Sequence, residues 1–324
     1  HLRNRRQRQM CIRDRLISAI TAALFGASSV AQADVSVSGS AGAAIVSGND
    51  NTEIMNGAGI TFALSSDLGN GVVVSTSATI SVDSNDGEKA STGGATGLSN
   101  LTFAIGSSSI SLGADIDIAG DGVGEVGGVA GDHVDEGGYN SAFSGMGGLS
   151  GEDGYGVSFT SDFGGATITA SYILDEADGK NNANTDETDT AAGVTVSIPV
   201  GAMSITLGTA TQDATNQTVA GGEVSMALGG GSVTAGMAAM TDSDAGAAET
   251  ETYGLEYATT IGGASISVGY TNGKSGSSKS QRTEVSVSQS IGAGASIFLD
   301  LQNGTGGGTT TGGTNVAVGT SFTF

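Results

Sequence analysis

Asn315-Val316-Ala317-Val318-Gly319-Thr320-Ser321-Phe322-Thr323-Phe324 ends the chain and decides how the rest is read. Val316, Val318, Thr320, Phe322 and Phe324 fall on one face, and Asn315, Ala317, Gly319, Ser321 and Thr323 on the other. A two-residue period of this kind describes a β-strand with one apolar face and one small, polar face. A strand with a free edge invites aggregation. Both of its edges therefore need partners, and closing the sheet into a barrel supplies them.

Working outward from this strand, the same unit recurs back to Asp34: strand, long polar loop, strand, tight turn. The spacing predicts strands at 35–46, 58–66, 71–81, 98–106, 110–118, 155–162, 166–174, 191–198, 203–210, 219–228, 232–240, 253–260, 264–271, 283–290, 295–302 and 314–324. That makes about sixteen, an even count as closed single-chain barrels prefer. Short turns such as Phe163-Gly164-Gly165 and Gly262-Gly263 alternate with Asn/Asp/Gly/Thr-rich loops at 82–97, 175–190, 241–252 and 272–282. Val194, Val196 and Ile198 oppose Thr195 and Ser197 along one strand, and Ile266, Val268 and Tyr270 oppose Ser265, Ser267 and Gly269 along another. A soluble sandwich alternates in the same way. The distinction is that Val, Ile and Ala recur at similar density on nearly every strand, as a lipid-facing band requires. Tyr155, Tyr172, Tyr253, Tyr257 and Tyr270 lie near strand ends, where an aromatic girdle belongs. The expected fold is all-β: a transmembrane antiparallel β-barrel with short periplasmic turns and long extracellular loops.

The other end of the chain reads as an export signal. Arg13 and Arg15 precede an apolar run from Leu16 to Val30, and Ala31-Gln32-Ala33 gives a small-x-small cleavage pattern before Asp34. Residues 16–33 are expected to be a cleavable signal peptide. Residues 1–15 begin without Met, are dense in Arg and read as an artefactual extension. The barrel is expected over residues 34–324. The chain has 11 Lys+Arg and 33 Asp+Glu; setting aside six Arg and Asp14 ahead of Leu16 leaves 5 and 32, a net charge of −27. Such an acidic chain repels nucleic acid and has no basic stripe to hold phosphate. Cys11 lies upstream of the apolar run, so the expected barrel has no cysteine, no disulfide and no thiolate site.

With these features together, the chain resembles the general porins of Gram-negative outer membranes. The resemblance spans Asp34 to Phe324 and rests on the export signal, the strand count, the alternating connections and the terminal Phe. It implies a homotrimeric diffusion channel among outer-membrane lipids and lipopolysaccharide. It also implies that Phe324 is the address read by the barrel-assembly machinery. In that family the third long loop folds into the barrel and narrows it. Here that loop is the longest, residues 119–154, and carries Asp121, Glu125, Asp132, Asp135, Glu136, Glu152 and Asp153 with no Lys or Arg. Strand parity points Asp115, Asp117, Glu223, Glu256, Glu284 and Asp300 into the lumen, where water tolerates carboxylates at membrane depth. Many family members oppose the acidic loop with wall Arg or Lys. In this chain Lys89, Lys180, Lys274, Lys279 and Arg282 all read as lying in or beside long loops. The expected pore therefore prefers cations.

An enzyme reading has little to stand on. His133 is the one histidine after the signal, no Gly-x-Ser-x-Gly elbow or His-Glu-x-x-His is present, and Gly304 to Gly313 is followed by no helix. No cofactor is expected beyond calcium held weakly by acidic loops, for which Asp132, Asp135 and Glu136 are the best candidates, although their spacing matches no calcium loop. The alternative is a secreted or surface-exposed β-rich adhesin. The varying loop lengths argue against the fixed repeat of a solenoid.

Overall fold

In the computed structural model, the residues described are 32–48, 51–84, 97–130, 153–175, 190–213, 216–242, 249–306 and 313–324. The signal segment, apart from Gln32 and Ala33, lies outside them. The strands are β1 (Gln32–Gly48), β2 (Asn51–Asp67), β3 (Val72–Ser84), β4 (Gly97–Leu98), β5 (Leu101–Ile105), β6 (Ser108–Asp117), β7 (Asp153–Phe163), β8 (Ala166–Asp175) and β9 (Ala191–Val200). They continue with β10 (Met203–Gln212), β11 (Gln217–Leu228), β12 (Gly231–Asp242), β13 (Thr250–Ile261), β14 (Ala264–Ser275), β15 (Ser278–Gly292), β16 (Ala295–Gly306) and β17 (Gly313–Thr323). The short pieces β4 and β5 both pair with β3 and form one stave, broken at Ser99 and Asn100. The result is a closed antiparallel barrel of 16 strands.

Closure is made by the strand that opened the sequence reading. β17 pairs antiparallel with β1 from Ser40↔Thr323 to Ser47↔Val316. The ladder then extends by one pair: Gly39 N–H donates to the Phe324 carbonyl at 2.9 Å, and Phe324 N–H donates to the Gly39 carbonyl at 3.0 Å. The Phe324 ring lies against Gly39 on the outer face, where no side chain keeps it off. At the short-turn end, Gly164-Gly165, Gly229-Gly230 and Gly262-Gly263 all have positive φ. Two-residue hairpins of the type that follows strand twist require that conformation at both central positions.

The outer face is apolar and open. Val35, Val37, Ile45, Leu207, Leu255, Leu299 and Val318 are all exposed, and all lie on it. Among the described residues the buried apolar side chains are few; nearly half are alanines such as Ala44, Ala191, Ala210 and Ala317, and the larger ones include Ile116, Ile118 and Ile173. A soluble fold of this length would bury its large side chains. This one directs most of them outward, as a wall solvated by lipid must.

Every predicted strand is present, and most run longer than the alternation indicated. The largest difference is at 272–282, predicted as a long loop. There β14 and β15 continue through polar residues to a tight turn at Gly276 and Ser277, with Lys274 opposite Lys279. Asp153 belongs to β7 and pairs with Asp117, so it is not a loop residue. A bulge in β6 overturns a second expectation. Gly113 pairs with Gly156, but the next pair is Ile116↔Gly154, so the strand's parity changes between them. Ile116 and Ile118 consequently turn inward and are buried. Asp117 is exposed and falls on the outer side, not in the lumen. Asp115 lies in the bulge itself.

Candidate functional site

Beyond β6 the chain does not rise away from the barrel. Residues 118–130 turn inward and run across the inner wall. Two tight turns shape this segment: Asp121 N–H donates to the Ile118 carbonyl at 3.2 Å, and Glu125 N–H donates to the Gly122 carbonyl at 3.1 Å. Its near end is held on β8, where Ala119 N–H donates to Ser171 Oγ at 2.6 Å. Its middle is held on β14, where Thr271 Oγ1 donates to the Val126 carbonyl at 3.0 Å. Its far end reaches β15, where Ala130 N–H donates to Glu284 Oε2 at 2.7 Å. Ala130 packs there on a small apolar cluster of Ala44, Val46, Met55 and Ala317. Gly120, Gly124 and Gly127 lie against strand backbone, with Asp121 and Glu125 placed between them.

Glu284 is the most tightly held of the candidate residues, only 1% exposed. Besides Ala130, it accepts a hydrogen bond from Gln302 Nε2 at 3.1 Å. Arg282 Nε lies 2.7 Å from Glu284 Oε1, a charge contact on the inner face, and the guanidinium sits beside Gly128. Here the sequence reading is corrected. Arg282 was expected in a loop, but β15 begins at Ser278 and carries it into the barrel. Among the described residues it is the one basic side chain with inward parity. Glu223 and Glu256 also have inward parity, opposite Gly236 and Thr234 respectively, so they flank β12 from either side. Asp300 is buried on β16, opposite Ser286.

A closed sixteen-strand barrel with residues 118–130 laid along its inner wall is the arrangement on which the comparisons bear. A family model described as Gram-negative porin matches residues 19–309. This chain belongs to the Gram-negative porin family. Solved structures agree on the fold. An anion-selective porin from Comamonas acidovorans is 15% identical, with 90% of this chain and 100% of that one covered at a TM-score of 0.63. The trimer form of OmpT from Vibrio cholerae is 10% identical, with coverage of 90% and 99% and a TM-score of 0.65. A porin refined at 1.8 Å resolution is 17% identical, with coverage of 90% and 100% and a TM-score of 0.67. A comparison with curated protein sequences finds no match. The family and the barrel place the protein in the outer membrane.

The porin's inner face also carries paired hydroxyls. Thr61 and Thr79 pair at 2.9 Å, Thr102 and Ser111 at 2.8 Å, and Thr160 and Thr169 at 3.1 Å. Thr206 donates to Ser197 at 3.3 Å and Thr234 to Ser225 at 3.1 Å, while Ser296 and Ser321 pair at 2.6 Å. These cross-strand pairs lie in the half of the lumen nearest the short turns and give it a hydrophilic lining, with Glu223 directly opposite Thr206 and Glu256 directly opposite Thr234. Sequence reading missed this belt as a paired feature, although the Ser/Thr side of each strand announced its chemistry. Asp132, Asp135, Glu136 and Glu152 lie outside the described residues, and with them the calcium candidates.

Proposed function

We propose that this porin is a passive, non-enzymatic diffusion channel for small hydrophilic solutes and ions, with a preference for cations. The observation that carries the preference is the charge balance on the inner face. Arg282 is matched by Glu284, which leaves Glu223, Glu256 and Asp300 without a described cation of inward parity. A passage lined by one sign of charge concentrates the counter-ion and raises its flux. Fold does not decide the sign, since a structural neighbour named as anion-selective shares this one. Reversal potentials across a planar bilayer under a salt gradient test the reading. Cation preference is expected, shrinking as salt rises because the Debye length falls from about 10 Å at 0.1 M to about 3 Å at 1 M. Glu223→Gln, Glu256→Gln and Asp300→Asn should each lower it. Anion preference in the unmodified protein would overturn the charge argument.

Residues 16–33 act as the export signal in this reading, and Phe324 as the element recognised during barrel assembly. Association as a homotrimer is supported by family membership and by the trimer form of the Vibrio cholerae neighbour. The small outward residues Ala41 and Ala43 on β1 leave room for close approach of a second wall. Ala317 and Gly319 do not contribute to that surface, because they face inward. A monomeric mass in mild detergent would sink the trimer.

A further inference from the structure

Glycine inside a strand loses packing and backbone entropy, and it usually marks a place where another backbone comes close. Gly193, Gly208, Gly221, Gly236, Gly254 and Gly269 stand inside six successive strands, β9 to β14. None has a positive φ, so the strand conformation does not itself require glycine there. What each has instead is the inner segment pressed on it, in chain order. Gly193 faces Ala119, Gly208 faces Gly120 and Val123, and Gly221 faces the Val123 carbonyl. Gly236 faces Gly124 and Val126, Gly254 faces Val126, and Gly269 faces Gly127. A Cβ on Gly208 would stand 2.7 Å from the Gly120 Cα, closer than side chains approach backbone.

We infer that these six glycines set the stand-off between the segment and the wall, and so determine the size cut-off of the channel. The segment is tied at both ends, by Ser171 at Ala119 and by Glu284 at Ala130. Bulk added beneath its middle cannot slide it aside and bows it toward the axis. Close-packed contacts leave no slack to absorb a methyl group. On this account the segment is a fixed part of the wall, not a gate, and the inference rests on the channel reading above.

The test compares Gly221→Ala, Gly254→Ala and their double variant with unmodified protein in planar bilayers. High salt screens charge effects, and liposome swelling with sugars of graded size reports the cut-off. Gly59→Ala is the control, since its Cβ would meet nothing nearer than Ser40 Oγ at 3.7 Å. Each track variant should lose conductance and exclude the larger sugars first, the double variant losing more, while Gly59→Ala should match the unmodified channel. Val123→Ala, which thins the segment over Gly208 without adding bulk, should raise conductance even if the glycine variants do not fold. Unchanged or increased conductance in folded track variants, or a fall in Val123→Ala, would overturn the inference. An unmodified protein that does not conduct would instead sink the channel reading.

Discussion

Arg282 and Glu284 pull the ion preference in opposite directions from positions two residues apart. Removing the cation in Arg282→Gln leaves Glu284 uncompensated, so cation preference should rise. Glu284→Gln should lower it, and should also loosen the far end of the inner segment, visible as added open-channel noise. Equal shifts of the same sign in the two reversal potentials would contradict the ion pair. The sequence hid this pair for a physical reason. Strand alternation fades toward the long-loop end, where side chains on both faces are polar, so periodicity stopped at Thr283 and left Arg282 outside. The parity of Asp117 failed differently. A bulge adds a residue to one strand without changing composition, and the two-residue period is blind to it. The wall glycines were visible as residues, but their role depends on a segment some 70 to 150 positions earlier and no local pattern records such a contact.

The strands themselves were legible because a membrane wall imposes alternation on each of them, whatever its neighbours are. That wall also fixes what outward substitutions do. Leu255 and Leu299 count as exposed, and in a water-soluble protein replacing them by Arg would cost little. In a barrel, Arg on the lipid face near the midplane costs about 2–4 kcal/mol. Leu255→Arg and Leu299→Arg should therefore lower the denaturant midpoint of the lipid-embedded protein, while Ser267→Arg, of inward parity, should not. The closing strand separates two roles of Phe324. Cross-strand pairs contribute about 0.2–1 kcal/mol, so Phe324→Ala should refold in detergent with only slightly reduced stability. In cells the same change should sharply reduce outer-membrane assembly while export continues. Normal assembly of that variant would remove Phe324 as the recognised element.

At the scale of the whole molecule, one side of the lumen differs from the other. From β8 to β15 the inner face is crossed by a tethered strip of backbone carrying carboxylates, whereas among the described residues no such strip lies on β3 to β7, and the Ser and Thr pairs there face the lumen directly. The opposed halves were only partly legible: the acidic loop stood out by its composition, whereas its path across the wall depends on contacts far apart in the chain. The hydroxyl belt has a consequence for transport kinetics. Each hydroxyl already engaged with its cross-strand partner has less capacity to capture a passing solute. A sugar or hydrated ion keeps most of its own water shell, and residence at the wall stays brief. Conduction needs sites that solutes leave as readily as they enter. Flux through this channel should accordingly rise almost linearly with sugar concentration, without the saturation that marks a binding transporter.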